Sequence, residues 1–493
     1  MKLHSLITLV FLSLWQVTIA APVNLLTLGN LTKPSDDPFY TPKDGYEKLK
    51  LGEVINYRKV THKIGIVAFE EKVQAVYQFL VRSEDSHKQP NAIVTTVIIP
   101  HNADTSKILS YQVAVDAPNV DCAPSYALQL GSDPGTWITT QVEQLLSEAG
   151  LYEGWIVVIP DFLGPKATFA AGYQAAYATL NSLKAVVASG DITGVDPKAQ
   201  IALWGYSGGS QPSAWGAALA PTYAPDLNII GAAVGGILIA PKHIANYTVG
   251  GFFAGLIINA INGLGNEYPE LKKYAQDNIY PDVETEFFAP AHECLVESIL
   301  RTPWTSWDQL TPLGVDIMDS PVVDNVTGIN NLLNLNANPK VPLFFYNSKN
   351  DEIIPPTDAD ELYQKWCDLG TSIEYRQDSL SEHITQAIVG SGDAFVWLKD
   401  RFNGVQQTGC KKIESTTNLF NFNAVSGLSS IVTDALETIL EFQIGPSSPS
   451  QHPVPTNVTI THVGNSSASS TSSTSTSSST SNSFLGSIIS AIF

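Results

Sequence analysis

Gly205-Tyr206-Ser207-Gly208-Gly209 follows directly on the apolar run Ile201-Ala202-Leu203-Trp204, and this junction decides the fold. A serine between close-set glycines at the end of a short buried strand reads as a nucleophile elbow, a turn tight enough to hold the serine Oγ clear of a sheet. Glycines on both sides let the strand and the helix after it approach without Cβ clashes. The flanks agree: residues 200–204 read as a buried strand, and residues 210–220, with Pro212 near a helix start, read as the following helix. The pattern points to a serine hydrolase on an α/β scaffold.

Working outward, residues 75–81 and 92–99 read as a β-meander, 108–115 as the next strand, and 155–160 as a short all-apolar strand suited to the middle of a parallel sheet. Residues 139–149 and 171–188 carry apolar positions at three- and four-residue intervals, so strands and helices alternate in βαβ fashion. Two more strands, 229–237 and 341–346, stand roughly a hundred residues apart, far more than a simple connection requires. The insertion, residues 238–340, is predicted to be a cap. It carries Phe252, Phe253, Leu256, Ile257, Ile258 and Ile261 at helical spacing, a stripe that serves either as core packing or as the wall of a lipid-binding cavity. The expected fold class is therefore an α/β-hydrolase with a large inserted cap, its core formed by residues 21–237 and 341–445. Residues 21–60, with Pro34, Pro38 and Pro42 among polar neighbours, read as an extended surface arm.

The first 20 residues have a Lys2/His4 start, an apolar centre and a small-residue end, the make-up of a secretory signal peptide, and no other stretch approaches the length of a spanning helix. Cys122, Cys294, Cys367 and Cys410 in a secreted chain predict two disulfides, with three pairings open. None has the C-x-x-C spacing of a metal or redox site, and no metal or cofactor is expected. Sequons at Asn30, Asn246, Asn325, Asn457 and Asn465 are glycosylation candidates. A formal charge of -20 excludes nucleic acid and anionic membranes as partners; no stable protein partner is implied, and a monomer is expected. Residues 446–493 read as a Pro/Ser/Thr-rich linker and tail, and the Ser/Thr run 466–483 resembles an O-glycosylated stalk. The terminal apolar segment 484–493 lies at the lower limit for a glycolipid-attachment tail.

If Ser207 is a nucleophile it needs a base and an acid, which α/β-hydrolases supply downstream in the order acid, then histidine. His243 and His292 fall in the insertion and His452 and His462 in the tail, which leaves His383, between a strand-like 372–375 and a helix-like 384–389. Asp351 leaves the strand 341–346 at the sheet edge the nucleophile uses, with Glu352 and Asp378 as fallback acids. The oxyanion needs backbone donors, one from Gly208 and a second from the end of the strand Ser110-Tyr111-Gln112-Val-Ala-Val-Asp116, although no HGGG motif is present.

Together with the stretch Asp121-Cys122-Ala-Pro-Ser-Tyr126, Asn-Asp351-Glu, Glu-His383 and the four cysteines, these motifs resemble the fungal secretory lipases, the family of Candida antarctica lipase A and the secreted Candida lipases. The resemblance spans roughly residues 30–440. It implies a Ser207/Asp351/His383 triad, an oxyanion hole from Asp116 and Gly208, and disulfides Cys122 to Cys294 and Cys367 to Cys410. The implied activity is hydrolysis of triacylglycerol esters at an oil–water interface through an acyl-enzyme, by a secreted enzyme. The alternatives are a serine peptidase on the same fold and a catalytically inactive, glycosylated cell-wall protein. The Ser/Thr-rich tail departs from the family pattern and leaves cell-wall retention as the alternative to free secretion.

Overall fold

The computed structural model describes residues 31–66, 69–455 and 458; the signal-like stretch 1–20, Asn30, Asn457, Asn465 and the Ser/Thr tail lie outside the described residues. Ten strands make one sheet: β1 (Val54–Lys59), β2 (Ala75–Glu84), β3 (Pro90–Ile99), β4 (Asp104–Gln112), β5 (Trp155–Pro160), β6 (Gln200–Tyr206), β7 (Ile229–Gly235), β8 (Leu343–Ser348), β9 (Ile373–Asp378) and β10 (Cys410–Ser415). Their spatial order is β1-β2-β3-β5-β4-β6-β7-β8-β9-β10. The meander β1 to β3 and the β3–β5 pair are antiparallel, and every pair from β5 to β10 is parallel. The central strands are buried on both faces and accordingly read as near-continuous apolar runs rather than as alternation.

The chain passes from β4 outward to β5 through α1 (Pro134–Tyr152), then back across β4 to β6 through α2 (Gly172–Val187), and on to β7 through α3 (Ser210–Tyr223). Right-handed crossovers in opposite directions place α1 on one face and α2 and α3 on the other. The reversal at β4 leaves a crevice outside the carboxyl ends of β4 and β6, where open α/β sheets bind ligands.

Between β7 and β8 the chain is helical: α4 (Pro241–Thr248), α5 (Ala254–Glu267), α6 (Pro269–Asn278) and α7 (Pro321–Ile329), with shorter turns among them. Gly255 and Gly263 let α5 lie against the backbone of Ser298 and Phe169, where a Cβ would stand within 2.6 Å of the neighbouring main chain. A disulfide between Cys122 and Cys294, Cα atoms 5.8 Å apart, ties this insertion to the loop after β4. A second joins Cys367 on α8 (Pro356–Asp368) to Cys410 at the start of β10. The sequons Asn246 and Asn325 are exposed on α4 and α7. After β9 come α9 (His383–Val389) and α10 (Ser391–Phe402), and after β10 comes α11 (Phe422–Ile439), which packs with α10 and α1.

Two segments depart from the sequence reading. The expected surface arm is packed at its carboxyl end: residues 54–59 form edge strand β1, and Phe39 is buried against Leu80, Ala92 and Val94. The linker expected from residue 446 is docked through its first part. Ile444 is fully buried, its N–H donating to the Lys72 carbonyl and its carbonyl accepting from His101 N–H, while the His452 carbonyl accepts from Thr105 N–H. Asn102 Nδ2 donates to the Pro446 carbonyl at 2.8 Å. A proline-rich strand lacks amide donors but keeps every carbonyl, so loop N–H groups bind it as a strap. These contacts lie at the amino ends of β4 and β5.

Candidate active site

Ser207 follows β6 without an intervening residue and has φ +52°, the left-handed region that a side chain occupies only when its surroundings enforce it. The surroundings here are glycine contacts. A Cβ on Gly205 would stand 2.0 Å from the Gly209 carbonyl oxygen, and one on Gly209 would stand 1.9 Å from that of Gln112. Any side chain at either position would push the elbow off the sheet.

His383 is the first residue of α9, whose start is fixed by a capping box between Glu382 and Thr385. Its Nε2 lies 2.8 Å from Ser207 Oγ and its Nδ1 2.7 Å from Asp351 Oδ2. The other carboxylate oxygen, Oδ1, accepts the N–H groups of Ile353 at 2.9 Å and Ile354 at 2.7 Å, an Asx-type turn that fixes the carboxylate plane. Neither fallback acid reaches the imidazole. Glu352 Oε2 accepts the main-chain N–H of His383 at 2.8 Å, and Asp378 spends both oxygens on the N–H groups of Leu380, Ser381 and Asn418. His243 pairs with Asp358 instead.

Burial acts to lower the pKa of His383. The Asp351 carboxylate and its hydrogen bond, joined by Glu352 and Asp116, act the other way, and the net effect is a pKa above the usual 6.5. Burial also raises the Glu352 carboxyl, and it pushes Asp116 up to about 7.

Asp116 is not at the strand end that the sequence suggested: β4 stops at Gln112, and Asp116 stands in the loop four residues further on. It has φ +47°, and its carbonyl accepts from Asn259 Nδ2 at 2.8 Å. Its Oδ1 is buried with no hydrogen-bond partner among the described residues, and it lies beside Gly208, where a Cβ would come within 1.6 Å of it. Gly208 and Asp116 are thus adjacent at the mouth of a cavity.

That cavity, about 1010 Å³ of space between atoms counting its open mouth, runs from Ser207, Gly208 and Asp116 into the insertion. Leu256, Ile257, Ile261 and Leu264 of α5 line it, together with Leu271 of α6, Ile317, Met318, Ile353 and Ile354. Apart from Asp116, no charged side chain lines it. The α5 stripe divides: Ile258 is buried in the packing behind the wall, and Phe252 stands exposed near Trp304. The Asn259 contact to Asp116, the Glu352 contact to His383 and the α6 wall were not read from the sequence. Only the second left a trace there, as an acid adjacent to Asp351.

A mostly parallel sheet with this topology, and a serine, histidine and aspartate in hydrogen-bond contact at its carboxyl edge, define an α/β-hydrolase. Comparison with known proteins narrows the class. Residues 128–410 match the secretory lipase family. The chain is 42% identical to Lipase 5 of Candida albicans over 424 residues, 84% of this chain and 91% of that protein. It is 39% identical to Lipase A of Arthroderma benhamiae over 426 residues, 84% of this chain and 89% of that protein. A crystal structure of Candida antarctica lipase A in its closed state superposes with a TM-score of 0.75 at 27% identity, covering 82% of this chain and 95% of that one. A rice cell wall degrading esterase from Xanthomonas oryzae shares the fold at a TM-score of 0.54 and 14% identity, covering 80% of this chain and 100% of that one. The chain belongs to the secretory lipase family. It is a lipase, a carboxylic ester hydrolase that acts outside the cell.

Proposed function

We propose that the enzyme hydrolyses triacylglycerols by acyl transfer, with Ser207 as nucleophile, His383 as base and then acid, and Asp351 holding the imidazole in the tautomer that leaves Nε2 free to accept the serine proton. The N–H groups of Gly208 and Asp116 receive the oxyanion, and the acyl chain occupies the cavity behind Ser207. His383 passes the serine proton to the departing diacylglycerol oxygen; water then attacks the acyl-enzyme, giving a proton to His383, which returns it to Ser207 Oγ as the fatty acid leaves. No step calls for a cofactor. The observation that carries this reading is the Asp351–His383–Ser207 hydrogen-bond chain opening onto a deep apolar cavity. A peptidase reading gains no support from that cavity, whose lining offers no lysine, arginine or carboxamide to hold peptide amides. The Ser/Thr-rich tail supports retention at the cell wall.

The test is a p-nitrophenyl ester series run beside a peptide substrate. Each buried methylene contributes about 0.8 kcal/mol, so four more methylenes are worth a factor on the order of 200 in kcat/KM if that gain is fully realised in the transition state. Ile257→Asp places a charge that must be desolvated beside the chain, and is expected to depress octanoate and longer esters at least tenfold more than acetate. Equal losses on both esters, or peptide cleavage without long-chain activity, would sink the acyl-cavity assignment.

The pH profile offers a second check. Hydrolysis needs the neutral imidazole, whose pKa is raised, so activity is expected to fall with acidification through a midpoint above 6.5. Glu352→Gln removes one of the carboxylates responsible and is expected to move that midpoint to lower pH. A midpoint that did not move would mean the Glu352 charge has no influence on the base.

A further inference from the structure

The last residue of β9, Asp378, holds two loops side by side at the catalytic edge of the sheet. Its Oδ1 accepts the N–H groups of Leu380 and Ser381, 2.8 Å each, and its Oδ2 accepts that of Asn418 at 2.6 Å. The first loop leads to His383 and α9; the second leads through a turn, Asn418–Phe420, to α11. On these loops and the helix starts behind them stand Leu380, Ile384, Ile388, Phe420, Phe422 and Val425, all exposed. Phe420 at 80% and Phe422 at 83% are the most exposed large apolar side chains among the described residues. Ile384 and Ile388 are one turn apart on α9, Phe422 and Val425 one turn apart on α11, and the two helices touch. Residues 416–433 and 384–392 contain no Asp, Glu, Lys, Arg or His, in a chain whose formal charge is -20, and the rim's one carboxylate on this loop is the exposed Glu382, between Leu380 and Ile384.

We propose that this charge-poor apolar rim is the surface by which the enzyme adsorbs to a neutral acylglycerol interface. An exposed patch of this kind marks a site of association rather than a neutral surface. Its occupant follows from charge and position. A body carrying -20 is repelled by anionic bilayers and by a second copy of itself, and a rim whose apolar side chains stand beside a single carboxylate and no cation adds mainly apolar attraction, which an uncharged lipid surface satisfies. The rim starts beside the site, since α9 begins with the histidine that contacts Ser207 at the cavity mouth. Adsorption there sets the cavity mouth against the lipid. The proposal rests on the lipase reading of the Ser207 site.

The test compares wild type, the Phe420→Ser/Phe422→Ser double variant and Ser207→Ala. Three quantities are measured: depletion of protein onto a trioleoylglycerol emulsion, hydrolysis of that emulsion, and hydrolysis of p-nitrophenyl butyrate dissolved below saturation. Both rings are exposed, so their removal opens no cavity. The double variant is expected to lose at least tenfold in adsorption and in emulsion hydrolysis, with kcat/KM on the dissolved ester unchanged. Ser207→Ala should adsorb as wild type does. Undiminished adsorption by the double variant overturns the proposal. So does an equal loss on the dissolved ester, which marks the rings as packing. So does a wild-type dimer in sedimentation that the double variant dissolves, which makes a second copy the occupant. A wild type that adsorbs yet cleaves no ester would sink the reading of the Ser207 site and leave the docking surface standing.

Discussion

Ser207→Ala is expected to abolish ester hydrolysis while leaving folding and secretion at wild-type levels. The hydroxyl makes one contact of consequence, 2.8 Å to His383 Nε2, and it sits partly exposed at the elbow, so its loss leaves neither a cavity nor a deeply buried unpaired group. The left-handed backbone at φ +52° is equally strained for alanine and for serine, so the turn stays as it is. What disappears is the atom proposed to form the acyl-enzyme, and removal of a triad nucleophile reduces kcat by factors on the order of 10⁶. The measurement is kcat on p-nitrophenyl butyrate beside the thermal unfolding midpoint. Activity above 1% of wild type would remove Ser207 from the mechanism.

Gly208→Ala is expected to be the most damaging change that leaves the three hydrogen-bonded side chains intact. A Cβ there would stand 1.6 Å from Asp116 Oδ1 and 2.6 Å from its Cγ, so the aspartate must withdraw. The carboxylate must turn aside inside a buried pocket, since those atoms are the end of the side chain and Oδ1 has no hydrogen-bond partner among the described residues to hold it. The crowding falls beside the N–H groups of Gly208 and Asp116, the proposed oxyanion donors, and loss of one such donor costs about 10²–10³ in kcat. KM should change little, because the acyl cavity is untouched. Combining Gly208→Ala with Asp116→Ala removes the clashing carboxylate, and the double variant is expected to recover activity over Gly208→Ala alone, a non-additivity that marks contact. Near-wild-type activity in the single variant would show that the two residues do not form the oxyanion site.

The parts legible in the sequence were those encoded locally. A glycine-flanked serine after an apolar run needs no tertiary context to be read, and Asp351 and His383, which the structure brings into hydrogen-bond contact with each other and with Ser207, were picked out because the fold dictates the order acid, then histidine, and the strands before them are apolar. The strand β1, Val-Ile-Asn-Tyr-Arg-Lys, was missed because it pairs at the sheet edge with only partly buried side chains and carries no alternation. The end of β4 was misplaced because residues 113–115 are as apolar as a strand; what stops the strand is the packing of Gly209 against the Gln112 carbonyl, nearly a hundred residues away in sequence. The cavity wall drew on α6, Ile317 and Met318, which no periodicity connects to α5. Packing against wall and core alike requires an apolar stripe, so the sequence could not separate Ile257 from Ile258.

The docked strap at residues 444–454 fixes how the molecule is held from behind. Its carbonyls are bound at the amino ends of β4 and β5, whereas Ser207 stands at the carboxyl end of β6, and a seven-residue strand separates those edges by roughly 20 Å. The strap therefore lies on the side of the molecule turned away from Ser207. An attachment made on the strap itself, at the exposed Ser447 or Gln451, leaves the edge that carries Ser207 unobstructed.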